Sequence, residues 1–268
     1  MYHSGLKNRR LLWYASKNNV KGNLMAKILV GIATHEPDQR FLESLPLFYA
    51  QVCKEHIAHI KWVWHKPLVD AQNEIADTLL AGDYDYLLTI EDDHHGFTLE
   101  MLEACLKPDV PVCGISYHSR HYPFMKIPML KHSVQRNTKV PNYGGSDKYT
   151  EGYHKVDLEA FGFTLFKREI FNKLDKPYFR LNVQAGVTGP RATDIDFSER
   201  LEKAGIPMLG CFDHIVLHRD ITTEGVRDLL VSGIIAKHSI HSRLQRMLEE
   251  DRKQTILNGK EKAKCQKD

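Results

Sequence analysis

Glu91, Asp92 and Asp93 stand side by side and are followed by His94 and His95, all at the end of the apolar run Leu87-Leu88-Thr89-Ile90. Three adjacent carboxylates repel one another and suit a packed strand end poorly, so a positive partner is expected to compensate them. A divalent cation is the leading candidate. Asp93 offers hard oxygen to Mg²⁺ or Mn²⁺, and an imidazole supplied from elsewhere in the chain tilts the choice toward Mn²⁺. In open α/β sheets the carboxyl edge of the strands is also where ligands bind. A solvated acidic turn is the plainer reading of an Asp-Asp pair taken alone, and the elements around it decide between the two.

Those elements read as alternating strands and helices. The spacing predicts a strand over 27–34, a turn at Thr34 to Asp38, and then an apolar-periodic helix with Pro46 as a boundary or kink. A second strand is expected at Ile60 to Trp64, a helix over 69–81 ended by Gly82, and the strand Tyr86 to Ile90 that delivers the acids. That order implies parallel pairing and a Rossmann-like half. Thr98 to Leu106 reads as a helix capped by Thr98, and Val110 to Tyr117 as a strand. From His118 to Lys155 the chain turns polar and contains Gly and Pro, which predicts a long lid or acceptor loop. Strand character returns from Val156 to Phe166 around Gly162, followed by a short helix at Arg168 to Leu174. A helix over Asp194 to Ala204 closed by Gly205, an extended run from Ile206 to His218, and helical spacing in the tail from Thr223 complete the reading.

Composition sets the frame. The 268 residues are 42% hydrophobic and 26% charged, ordinary for a globular chain, and no apolar run approaches the roughly 20 residues that span a bilayer. A cytoplasmic location without a membrane span is the expectation. Cys53, Cys105, Cys113, Cys211 and Cys265 are odd in number and lack any Cys-x-x-Cys pair, which argues against a disulfide framework or a zinc ribbon. Residues 1–24 hold five basic residues and no acid, and residues 237–268 hold nine basic against five acidic, so with a formal net charge of +3 the middle of the chain is acidic. An acidic middle accords with a cation site. Basic ends serve solubility or touch a polyanion.

Taken together, four segments resemble the GT-A fold glycosyltransferases, family 2-like, of bacterial or phage type. They are Leu87-Leu88-Thr89-Ile90-Glu91-Asp92-Asp93-His94; Gly114-Ile115-Ser116-Tyr117-His118-Ser119-Arg120; the run from Glu159 through Gly162 to Glu169; and Thr193-Asp194-Ile195-Asp196-Phe197-Ser198 with Val216-Leu217-His218. The resemblance covers roughly residues 27 to 220. It implies an α/β fold, a Rossmann-like nucleotide-binding half with a mixed central sheet, followed by a C-terminal helical tail. The implied division is a basic extension at 1–24, a transferase domain at 25–220 and a helical basic tail at 221–268, through which the chain would oligomerise.

The resemblance implies a metal-dependent transfer of a sugar from a nucleotide-diphosphate sugar to a hydroxyl acceptor, with Mn²⁺ or Mg²⁺ as cofactor. Carried over, Glu91 and Asp93 take the first and last places of the DxD-type motif. Asp93 is the preferred metal ligand, Glu91 serves metal or ribose, and Asp92 contacts sugar hydroxyls. His218 matches the distant histidine that completes the metal site, with His94 and His95 ranked below it. Asp194 is the candidate base that deprotonates the acceptor, with Asp196 second; a helix capping box at Thr193 and Asp196 is the bland alternative. Thr34, His35 and Glu36 fall where the nucleobase is recognised, and Asn73 is placed near the nucleotide. Gln72 stands where an arginine is familiar, so Arg120 or Lys126 is expected to neutralise phosphate instead.

Two other readings compete. A sugar nucleotidyltransferase would resemble its family in a Gly-rich phosphate loop, which Gly31-Ile32-Ala33-Thr34-His35-Glu36-Pro37 is not. A non-catalytic GT-A-like module binding nucleotide or nucleic acid would use the basic ends, but such a surface has no need of clustered acids and imidazoles. The acceptor stays open between a glycan and a hydroxymethylated base in DNA. Residues 1–24 lack periodicity and precede a start-like Met25 and a β-rich run, so they read as an upstream extension or a misassigned start. A chain beginning at Met25 is therefore expected to stay soluble and active, as checked by sedimentation and by donor binding; loss of folding would refute it.

Overall fold

Lys27–Thr34 is apolar on both faces, and a strand of that kind has to be covered on both sides. It forms β1, flanked in parallel register by β2 (Ile57–Trp64) and β3 (Tyr86–Ile90). The connections are helical, as parallel neighbours require. Helix α1 (Gln39–Glu55) starts at Asp38, whose side chain accepts the Arg40 N–H at 2.9 Å, and it buries Phe41, Leu45, Phe48 and Val52 at helical spacing. It runs on through the exposed Pro46, where a boundary or kink was expected. Helix α2 (Leu68–Ala81) covers the other face so closely that a Cβ on Gly31 would lie 2.5 Å from Ile75 Cγ2. Arg168 closes the far end of α2, donating to the Leu80 carbonyl at 2.7 Å and the Gly82 carbonyl at 2.5 Å.

The computed structural model describes residues 25–118, 126–127, 129–134, 141–145, 149, 151–181 and 193–218. The remaining elements are β4 (His94–His95), α3 (Leu99–Leu106), β5 (Val112–His118), β6 (Lys126–Ile127), β7 (Met129–Val134), β8 (Pro141–Gly145), β9 (Tyr153–Val156), β10 (Phe163–Lys167), α4 (Thr193–Lys203) and β11 (Met208–His218). The main sheet runs β2-β1-β3-β10-β5-β11-β4. Strand β10 is antiparallel to both β3 and β5, whereas β11 is parallel to β5. The expected α/β architecture with a mixed central sheet is therefore present. Because side chains alternate along each strand, Ile28, Val30, Leu88 and Phe163 enter one core with α1 and α3. Leu29, Leu87 and Phe166 enter the other with Ile75, Phe179 and Phe197.

Three expectations need correction. The stretch from His118 to Lys155, expected as a loop, contains β6 paired with β5, the hairpin β7–β8, and the start of β9. The strands are short and of mixed polarity, so no clear alternation announces them, and only β9 pairs with a distant strand, β11. The single strand expected over Val156 to Phe166 is two, because β9 pairs with β11 whereas β10 inserts between β3 and β5. The short helix at Arg168 to Leu174 is a 3₁₀ turn, Arg168–Ile170. The N-terminal extension, Arg120 and the C-terminal tail lie outside the described residues. No described helix is long and apolar enough to cross a membrane.

One core residue is an acid. Glu159 is 2% exposed, and neither carboxyl oxygen has a hydrogen-bond partner among the described residues. It lies where Gly114 leaves room: a Cβ there would sit 1.8 Å from Oε1. Burial pushes this carboxyl well above its usual 4.5, so the folded chain keeps a proton that the unfolded chain releases. Stability contributed by that proton is complete below 4.5 and is lost as pH rises, by at most about 1.4 kcal/mol per pH unit. Glu159→Gln removes the dependence. In thermal melts the substituted chain is expected to gain on the parent between pH 5 and pH 7.5; parallel melting curves would show that Glu159 finds its own compensation.

Candidate metal and nucleotide site

The acid run leaves β3 at Ile90 and turns back within three residues, so that β4 lies antiparallel against the last residues of β11. The register pairs His94 with His218 and His95 with Leu217. This backbone pairing brings the distant histidine to the acids. Asp93 Oδ1 lies 2.8 Å from His94 Nδ1, and its Oδ2 lies 3.3 Å from His218 Nε2. One ligand atom from each of the three residues falls within 4.8 Å of the others. The rings hold one another in place: His94 meets His218 edge-on at 4.6 Å and Tyr117 edge-on at 4.5 Å, while Tyr117 and His218 lie nearly parallel at 6.4 Å. His94 is fully buried, and a Cβ on Gly162 would sit 2.8 Å from its Nε2.

Burial alone would raise the Asp93 pKa. Hydrogen bonds from His218 and His94, together with their charge, outweigh it and hold the carboxyl well below the usual carboxylate range. Two imidazole nitrogens and one carboxylate oxygen make a donor set suited to Mn²⁺ and its neighbours. One such atom from each residue lies close enough to the others to share an ion. The His218 Nδ1 is buried without a hydrogen-bond partner among the described residues.

The other expected residues distribute around this cluster. Thr34 donates a short hydrogen bond to the Asp92 carboxylate, and the Asp38 N–H donates to the Asp92 carbonyl at 2.9 Å, so the loop after β1 is tied to the acid run. Thr34, His35, Glu36, Lys66, Asp92 and Asp93 line one cavity of about 360 Å³. Glu91 borders the cluster, with Oε2 3.6 Å from His94 Nδ1, and is not one of the three converging ligands. His95 faces away from them, its ring pushed down to about 4 by burial and the Arg40 charge.

Asn73 corrects an expectation. Its amide donates to the Val69 and Phe179 carbonyls at 2.8 and 2.7 Å, and its oxygen accepts the Tyr178 and Phe179 N–H groups at 2.9 and 3.1 Å. All four hydrogen-bonding positions are used, so Asn73 clamps the 178–179 segment and has no capacity left for a nucleotide. Gln72 lines a 30 Å³ cavity together with Glu91, its Oε1 buried without a partner among the described residues.

The two candidate bases differ. Asp196 is buried, and Arg180 Nε donates to its carboxylate at 2.8 Å, an ion pair that anchors α4 to the clamped segment. Asp194 stands on the first turn of α4, and burial pushes its carboxyl up while the Ile195 N–H at 2.8 Å holds it back. The buried Tyr117 hydroxyl, against the His94 ring, is pushed well up by burial first and then by the charges of Glu91, Asp194, Glu159 and Asp93. A much larger cavity of about 1420 Å³ opens at the opposite edge of the sheet, around Ala26, His56 and Glu103, and none of the clustered ligands lines it.

Tyr117 and Gly162 were not expected at the site, and His94, ranked below His218, converges with Asp93 and His218. The adjacency of Asp93 and His94 was a signal for His94; nothing local marks Tyr117 and Gly162.

Against solved structures the chain is similar to a putative nucleotide-diphospho-sugar transferase from Desulfovibrio desulfuricans G20. The identity is 10% over 84% of this chain and 96% of that one, with a TM-score of 0.43. It is also similar to the mannosyltransferase PcManGT from Pyrobaculum calidifontis, solved in complex with GDP-Man and Mn²⁺, at 12% identity over 79% of this chain and 63% of that one, with a TM-score of 0.45. A third similar structure is a protein from STIV, at 17% identity over 69% of this chain and 81% of that one, with a TM-score of 0.44. No protein-family model matches the chain, and no curated protein matches it.

A methyl group at Gly162 must displace the His94 ring. Gly162→Ala is expected to weaken Mn²⁺ binding by roughly tenfold to a hundredfold, the range seen when support behind a ligand is lost. Isothermal titration with Mn²⁺, on protein whose circular dichroism is unchanged, checks this; equal affinity would separate Gly162 from the ion.

Proposed function

We propose that the chain is a metal-dependent glycosyltransferase of the GT-A type, moving a sugar from a nucleotide-diphosphate sugar to a hydroxyl acceptor. The observation that carries this reading is the meeting of Asp93, His94 and His218 at the carboxyl edge of the sheet, beside the cavity lined by Thr34, His35 and Glu36. Asp93, His94 and His218 hold Mn²⁺ or Mg²⁺, with Glu91 bordering the site. Bound there, a divalent cation supplies charge neutralisation for a diphosphate as the sugar to phosphate bond breaks.

The remaining roles fall to this chain's own side chains. Thr34, His35 and Glu36 form the wall against which a nucleoside lies, and Asp92, fixed by Thr34, faces the same cavity and contacts donor hydroxyls. Asp194 accepts the proton of the acceptor hydroxyl. Burial raises its pKa, which makes it a stronger base than an exposed aspartate. Asp196 is the weaker candidate, because Arg180 already occupies its carboxylate. The acceptor is a glycan or a hydroxymethylated base in DNA; the basic ends favour testing the latter.

Titration of nucleotide sugars with and without Mn²⁺ tests the reading: binding that requires the ion, with slow release of nucleoside diphosphate, is expected. Metal-independent binding of nucleic acid alone would replace it with a binding module. Asp194→Asn is expected to lower turnover by about a hundredfold or more with donor affinity nearly intact. In the parent, the acid limb of the rate profile should fall at a higher pH than an ordinary aspartate gives. An unaffected rate would remove Asp194 from the mechanism.

A further inference from the structure

The wall of the 360 Å³ cavity is built by the ends of two parallel strands. Thr34 of β1 pairs with Trp64 of β2, so the next residues, His35 and His65, leave the sheet side by side. His65 adopts a left-handed backbone, with φ at 54°, and its N–H donates to the Thr34 carbonyl at 3.0 Å. The two imidazoles meet edge to face at 5.1 Å, with their Nδ1 atoms 3.1 Å apart. One Nδ1 must donate and the other accept, which fixes both tautomers and holds His35 at the cavity wall.

Beyond His35 the wall offers a particular set of groups. Ala33 and the half-exposed Leu68 supply an apolar surface on which a planar base can lie. Lys66, whose ammonium also holds Glu74 at 2.5 Å, supplies a donor. Asp93 is committed to the histidines and Asp92 to Thr34. Glu36 is exposed to this cavity, and among the described residues no hydrogen bond or ion pair ties its carboxylate, which is an acceptor only.

A carboxylate discriminates sharply among the bases. Guanine presents two adjacent donors, N1–H and the exocyclic N2–H₂, which match its two oxygens in a bidentate pair, while O6 and N7 on the neighbouring edge accept from a cation or an imidazole N–H. Adenine and cytosine offer only an exocyclic amine beside a ring acceptor. Uracil offers one N–H flanked by two carbonyls that a carboxylate repels. We propose that the donor bound in this cavity is a guanosine-diphosphate sugar and that Glu36 is the residue that selects it. The proposal rests on the transferase reading and narrows it to one class of donor.

The test is titration of GDP, UDP, CDP and ADP, each with Mn²⁺, into the full chain and into Glu36→Gln. GDP is expected to bind tighter than the other three on the order of tenfold to a hundredfold. Glu36→Gln is expected to lose that advantage, because its amide nitrogen meets the guanine donors, while the weak affinity for UDP stays where it was. Mn²⁺ titrated alone should bind parent and Glu36→Gln equally, which shows that the substituted chain is folded. Equal affinity for all four nucleotides, a preference for UDP, or an unchanged GDP affinity in Glu36→Gln would overturn the guanine assignment and leave the transferase reading standing. Failure of all four to bind would overturn both.

Discussion

A two-residue strand pairing organises the functional end of this molecule. His94 and His95 pair with the last two residues of β11, and that contact sets the acid run, from far earlier in the chain, directly against His218. The pairing costs little, because the backbone groups of a turn leaving a sheet must be satisfied somewhere. It also seals the cluster. His94 loses all exposure, Asp93 keeps little, and the rings of His94, His218 and Tyr117 leave one another no room to turn. A carboxylate held between two imidazoles is already anionic, so a cation entering the cluster displaces hydrogen bonds without having to displace a carboxyl proton.

The rest of the sheet serves that junction. Parallel β1, β2 and β3 deliver the loops carrying Thr34, His65 and the acids to the same edge, and α1 and α2 bury the two faces that such strands expose. Strand β10 enters between β3 and β5 in the opposite direction, which brings Gly162, just before its first residue, to the ligand edge and against His94. One long strand, β11, pairs with β9 before the irregularity between Cys211 and Ile215, with β4 after it, and with β5 on both sides of it. Below, Asn73, Arg200 and the Asp196–Arg180 pair hold the segment from Asp175 to Arg180 by its backbone, so polar residues near the site do structural work without facing the cavity.

Much of this was legible in the chain. The strand Tyr86–Ile90 and the helices at 68–81 and 99–106 follow from short-range periodicity, although the Thr98 side chain makes no capping hydrogen bond, and Gly205 follows α4 in a left-handed conformation, φ 70°, as its position after the helix suggested. Asp93 was marked by its residue type and its place after a strand, and His218 by the family resemblance. What misled was equally physical. Asn73 is a polar residue on a helix beside a predicted ligand edge, and nothing in its neighbours reveals that Tyr178 and Phe179 will arrive to saturate its amide. Between His118 and Lys155 only β9 has a partner far along the chain, in β11; β6 pairs with the adjacent β5 and β7 with β8, in short strands of mixed polarity that read as loop.

The sequence by itself determined which residues can do chemistry and on which elements they ride, because apolar period and turn residues act within a few positions. Tertiary structure alone decided which of them meet. The inclusion of His94, the exclusion of Glu91 from the ligand cluster, the engagement of Asp196 by Arg180 and the packing of Gly162 on a ring all depend on register between distant strands and on which atoms share a buried volume. Those are properties of the folded sheet, in which a shift of one residue would turn each side chain to the other face.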